Sequence, residues 1–124
     1  MSIIYLINPS SSELMFIYNK YDLKKAQDKG RIVAKVNNKN IKFGKWENDE
    51  DSLRKRYTDV FQNKFNLKIV LRIYDISKLR EFEKLVSNNC FKNYERVGKT
   101  REWMIGIDMK TAESLILKHY DKFE

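Results

Sequence analysis

Hydrolysis of a phosphodiester needs positive charge to hold the phosphate and a carboxylate to hold a divalent ion. This chain carries both, in a definite order. Arg31, Lys35, Lys39, Lys42 and Lys45 fall between residues 30 and 46, a stretch with no acid. Arg54, Lys55 and Arg56 follow as a second cationic group, and Glu83 comes later. Lysine offers a compact charge, whereas arginine offers a fixed fork of donors suited to phosphate oxygens. Each residue also has a plainer reading. Glu83 taken alone is a solvated helix carboxylate pairing with lysines at helical spacing, and Arg56 is open to the same view, with Arg54 a rival for its role.

Other chemistries find little support. His119 is the only histidine and has no cysteine at ligand spacing, which argues against zinc. The chain has no phosphate-binding P-loop and no dinucleotide fingerprint. No serine has a histidine partner with sequence support. Cys90 stands alone, so no internal disulfide forms, and it reads as a small buried hydrophobe near a helix end.

The elements that must position these groups follow from pattern. Ser2 to Asn8 reads as a strand, Pro9-Ser10-Ser11-Ser12 as a turn, and Glu13 to Asn19 as a second strand, together a hairpin. A short helix over Asp22 to Asp28 would end at Gly30. A second hairpin runs from Gly30 to Val36 and from Ile41 to Lys45, turning on Asn37-Asn38-Lys39-Asn40. Gly44 within it implies a bulge or a close approach by another group. Lys42 and Lys45 project from opposite faces of a regular strand, so a shared role needs that bulge.

A helix is expected from about Asp49 to Gln62, with Leu53, Tyr57, Val60 and Phe61 on one stripe. Glu47, Asp49, Glu50 and Asp51 precede or open it, where the helix dipole favours acids. Leu67 to Tyr74 reads as a strand. Ser77 caps the next helix, whose stripe is Leu79, Phe82, Leu85 and Val86, with Glu83 at its edge. Arg101 to Ile107 is a strand, and Asp108 caps a last helix through Tyr120, packed by Ala112, Leu115 and Ile116. Trp46 and Trp103 read as core or rim aromatics, and Tyr57 as core. The fold class is α+β, a small antiparallel sheet flanked by helices in the order β-β-α-β-α-β-α over residues 30–124, with residues 1–29 as a hairpin and short-helix extension.

Bulk properties agree with one compact unit. A chain of 124 residues with 42% hydrophobic side chains can bury a core but not two comfortable ones. No apolar run approaches the ~20 residues of a membrane helix. The first residues lack a basic start and cleavage region, and the single cysteine suits a reducing interior, so an intracellular protein is expected. The net charge of +8 points to a polyanionic partner, nucleic acid above all.

Four segments in order resemble the GIY-YIG nuclease superfamily, in the compact branch common in phages and large DNA viruses, over about residues 30–121. Ile41-Lys42-Phe43-Gly44-Lys45 is similar to the family's second strand. Leu53-Arg54-Lys55-Arg56-Tyr57 resembles the helix bearing its arginine, and Leu79-Arg80-Glu81-Phe82-Glu83 the segment with its metal-binding glutamate. Gly98-Lys99-Thr100-Arg101-Glu102-Trp103-Met104 is similar to the Gly-x-x-Glu-Trp-Phe segment that follows. The resemblance implies that Glu83 binds Mg²⁺ or Mn²⁺ and that Arg56 stabilises charge on the phosphoryl oxygens. It further implies that Lys42 stands where the family has the tyrosine of its second motif, with Lys45 as a phosphate clamp. The family's first tyrosine, the activator of water, falls near Ile32 or Val33, neither of which moves a proton. Tyr5 and Tyr18 are the remaining hydroxyls. The stretch from Gly44 to Arg56 exceeds the family norm by a few residues.

The expected activity is therefore metal-dependent cleavage of DNA, double-stranded DNA being the expected partner. Arg31, Lys35, Lys39, Arg54 and Lys55 would extend the contact, and a homodimer would add to it. Two alternatives differ in class: a non-catalytic nucleic-acid-binding domain on the same scaffold, and a viral protein that blocks a host factor.

Overall fold

The run Ile3-Ile4-Tyr5-Leu6-Ile7 has no polar alternation, and such a run suits a strand covered on both faces. That is what it becomes. In a computed structural model that describes residues 2–18, 32–97 and 103–123, strand β1 (Ser2–Pro9) is a central strand of a four-stranded antiparallel sheet. It pairs with β4 (Asn40–Trp46) on one side and with β5 (Phe65–Ile73) on the other. The edge next to β4 is completed by β6 (Trp103–Ile105), in the order β5-β1-β4-β6. Strands β2 (Met15–Tyr18) and β3 (Ile32–Val36) form a separate two-stranded sheet.

The expected hairpins are thus re-paired. β1 does not fold back on β2, nor β3 on β4; β1 pairs with β4 and β2 with β3. The four strands make one long antiparallel arm, interrupted where two loops face each other. Across that gap Asn38 N–H donates to Ser11 O at 2.9 Å, and Asn8 Nδ2 donates to Asn40 O at 2.8 Å. The α+β class holds, but the sheet crosses the boundary expected at residue 30, and residues 2–9 are its interior rather than an appendage. The short helix expected over residues 22–28 lies outside the described residues.

Three helices cover the sheet. α1 (Glu50–Phe61) starts where Asp49 accepts from Ser52 N–H, and it buries Leu53, Tyr57 and Phe61 against Ile3, Tyr5, Ile7 and Trp103. Val60 of the expected stripe stays exposed. α2 (Ile76–Leu85) is capped by Asp75, not Ser77: the Asp75 carboxylate accepts from Ser77 N–H at 2.9 Å. Its Leu79 and Phe82 pack on the opposite sheet face with Ile4, Leu6, Ile41 and Phe43, beside Ala112 and Ile116 of α3 (Met109–Phe123). A π-helical turn, Val86–Cys90, continues α2. The last strand ends at Ile105 and not at Ile107, and the Gly98–Glu102 part of the fourth resembling segment lies outside the described residues. Among those residues no helix is long and apolar enough to cross a membrane.

Candidate active site

Beyond Lys42, strand β4 has no neighbour on its β6 side among the described residues, because that ladder ends at Lys42↔Trp103. A pocket of ≈ 170 Å³ opens there, lined by Tyr5, Lys42, Gly44, Lys45, Trp46, Arg56 and Glu83. Four elements supply these side chains: β1, β4, α1 and α2. No bulge is needed to bring Lys42 and Lys45 together. The register of β4 on β1 is unbroken from Ile7↔Lys42 to Ile3↔Trp46, so the two lysines leave opposite faces. Both border the pocket because it lies along a strand edge.

Gly44 explains how Tyr5 gets there. The two residues are opposite each other in the ladder, and a Cβ on Gly44 would lie 2.5 Å from Tyr5 Oη and 2.6 Å from Cζ. Only glycine lets the phenol ring cross the strand. On the other side of β1 the register shifts between Ile4 and Tyr5, and such bulges re-aim the residues beside them. Tyr5 is 2 % exposed, and its hydroxyl lies 2.7 Å from that of Tyr57.

The cations are held differently. Arg56 stacks its guanidinium over the Trp46 ring, 5.6 Å from the centroid. That indole is fixed by the start of α1, where Nε1 donates to Asp49 O and to Ser52 Oγ, each at 3.0 Å. Among the described residues no carboxylate comes within ion-pair distance of Arg56. Lys42 Nζ lies 5.3 Å from the centroid of the Tyr57 ring. Lys45 donates to Glu47 at 2.8 Å, and the same carboxylate accepts from Arg80 at 2.8 Å. The Arg80 hydrogen bond and then that of Lys45 hold the Glu47 carboxyl at about 2.

Glu83, half-buried one position after the core residue Phe82, is the one acid among the described lining residues. No group of three or more histidine, cysteine or acidic side chains suits a metal among those residues, so a cage made wholly of protein ligands is not offered. One carboxylate among the described lining residues does fit Mg²⁺, which keeps several waters and takes phosphate oxygens from a substrate.

The remaining expected contacts lie outside the pocket. Lys35, Lys39 and Lys55 are exposed, and Arg54 is paired with Glu50, which also accepts from Arg72 at 2.7 Å. Those two arginines, Arg72 first, lower the Glu50 carboxyl. Arg31 lies outside the described residues, as do the hydroxyl of Tyr18 and the side chains of Val33 and Cys90. The sequence offered Tyr5 only beside Tyr18 as a remaining hydroxyl, without placing it in the pocket, and gave Trp46 only a core or rim role. The signal for Tyr5 was the unbroken apolar run around it, which marks a strand inside the sheet. No family model matches the chain, and neither a curated protein nor a solved structure matches it.

Proposed function

We propose that this chain is a small metal-dependent endonuclease of the GIY-YIG kind, hydrolysing phosphodiester bonds in double-stranded DNA. The observation that carries this reading is the meeting of Tyr5, Lys42, Lys45, Arg56 and Glu83 in one pocket. Tyr5 supports it most directly. A hydroxyl opposite Gly44 supplies, from β1, the water-activating group that is lacking at Ile32 and Val33.

Arg56 and Lys42 bind the non-bridging oxygens of the scissile phosphate and stabilise the charge that builds on them. Arg56 is suited to this because its only partner among the described residues is an aromatic face, which leaves its donors for phosphate. Water attacks phosphorus in line with the leaving oxygen, forming one P–O bond as the other breaks. Its proton passes to the Tyr5 oxygen in the phenolate form, and the leaving oxygen takes a proton from solvent. Glu83 would hold a divalent ion, which would supply Lewis-acid polarisation of the phosphate and of the departing oxygen.

Supercoiled plasmid incubated with Mg²⁺ or Mn²⁺ tests the reading. Wild type is expected to nick it, and Glu83→Ala and Arg56→Ala to lose at least about 100-fold with folding intact. A folded protein that shifts DNA in a gel and leaves every strand whole would instead be a binding domain.

A further inference from the structure

We propose that Tyr57 is a positioning residue for Tyr5, and that its hydroxyl holds the Tyr5 oxygen in place and supports the negative charge it carries before it takes the proton of water. The inference rests on the hydrolytic reading above. Tyr57 belongs to the buried stripe of α1, between Leu53 and Phe61, where packing alone asks only for an apolar ring. That ring is fixed: it stacks on Phe61 at 6.1 Å and 6°, and it packs at a tilt against Phe65. Phenylalanine would fill the same space. The hydroxyl therefore needs its own explanation, because burying a polar group without a partner is costly.

The partner is Tyr5. Tyr57 is 3 % exposed, and its Oη lies 2.7 Å from Tyr5 Oη, with the rings 60° apart so that the two hydroxyls meet edge to edge. Either oxygen has the geometry to donate, but a single hydrogen bond uses only one proton. Tyr5 borders the pocket, whereas Tyr5 Oη is the one acceptor of a Tyr57 hydrogen bond among the described residues. A Tyr57 proton pointed anywhere else would be buried without an acceptor. Tyr57 donates, and Tyr5 accepts.

The direction has a consequence for chemistry. Tyr5 lines the pocket and Tyr57 does not, so the member that accepts is the one that meets substrate water. A hydrogen bond donated to an oxygen strengthens as that oxygen gains negative charge. The donor thus helps the phenolate form of Tyr5 and fixes the direction of its lone pairs, without touching substrate. Lys42, 5.3 Å from the centroid of the Tyr57 ring, adds positive charge to the same cluster. Gly44 leaves the room that the Tyr5 ring needs, since a Cβ there would lie 2.5 Å from Tyr5 Oη.

The experiment is a double-mutant cycle on single-turnover plasmid nicking with Mn²⁺, using wild type, Tyr57→Phe, Tyr5→Phe and the double variant. Tyr57→Phe is expected to lower kcat about tenfold or more with KM and gel-shift affinity unchanged. In the Tyr5→Phe background the same substitution is expected to cost nothing further, because Tyr57 acts through Tyr5. Thermal melts that match wild type establish that the variants fold. An equal loss in both backgrounds, a change confined to KM, or an unaltered kcat in folded Tyr57→Phe overturns this inference and leaves the nuclease reading standing. A wild type that nicks nothing overturns both.

Discussion

Gly44 shows how one residue decides whether the site exists. The Tyr5 ring occupies the volume of a side chain at this position. Gly44→Ala must push the Tyr5 ring aside or bend β4. Overpacking of this kind costs about 1–3 kcal/mol, to be measured by urea denaturation. The nicking rate is expected to fall further than stability alone explains, since Tyr5 leaves the pocket while Arg56 and Glu83 stay. Wild-type cleavage by Gly44→Ala would remove Tyr5 from the mechanism. Arg56 teaches a related lesson. An arginine held by an indole face and, among the described residues, within ion-pair distance of no carboxylate keeps its donors for another anion. Arg54, two positions away, is already paired with Glu50, which explains why two arginines so close in sequence have different prospects.

Among elements, the β4–α1 loop is held less by helix-dipole effects than by ion pairs. Asp49 does cap α1, but Glu47 bridges Lys45 to Arg80 of α2, and Glu50 bridges Arg54 to Arg72 of β5. These carboxyls hold their charge below the ordinary range, Glu47 at about 2 against 4.5. A carboxyl lowered in the folded state stabilises the fold above its unfolded pKa and loses that contribution as acid protonates it. The melting temperature is therefore expected to drop between about pH 4.5 and about pH 2, and Glu47→Gln to flatten part of that drop. At neutral pH Glu47→Gln should melt below wild type by that same part, a small amount because these exposed pairs are screened by solvent. Scanning calorimetry across the acid range checks both statements, and a variant with the full acid loss would show that the Glu47 pairs do not form in solution. The helices themselves were legible. Asp108 caps as its spacing implied, Asp49 caps α1 where it was expected only as an acid favoured by the dipole, and the cap of α2 moved from Ser77 to Asp75, because an Asp carboxylate two residues earlier reaches both Ser77 N–H and Lys78 N–H.

At the scale of the whole molecule, the most consequential fact is that Ser2–Pro9 is the interior of the sheet. β1 has neighbours on both edges and helices over both faces, so Ile3, Ile4, Leu6 and Ile7 are fully buried. Deleting residues 1–9 is expected to abolish cooperative folding, read as loss of the thermal transition by circular dichroism. A folded remnant from residue 10 onward would support an N-terminal extension after all. What the sequence determined by itself was local. Periodicity and capping chemistry act over a few residues, and they sufficed for the α+β class, for the three helices, and for Arg56 and Glu83 as groups carried on α1 and α2. Strand partnership was decided only in three dimensions. A strand's side-chain pattern says which faces are covered but not which edge it meets, and two facing loops re-paired β1 with β4 across more than thirty intervening residues. Because that pairing, and not the nearer hairpin, sets what lies opposite Gly44, the tertiary structure alone brought Tyr5 to the pocket and the Tyr57 hydroxyl to Tyr5.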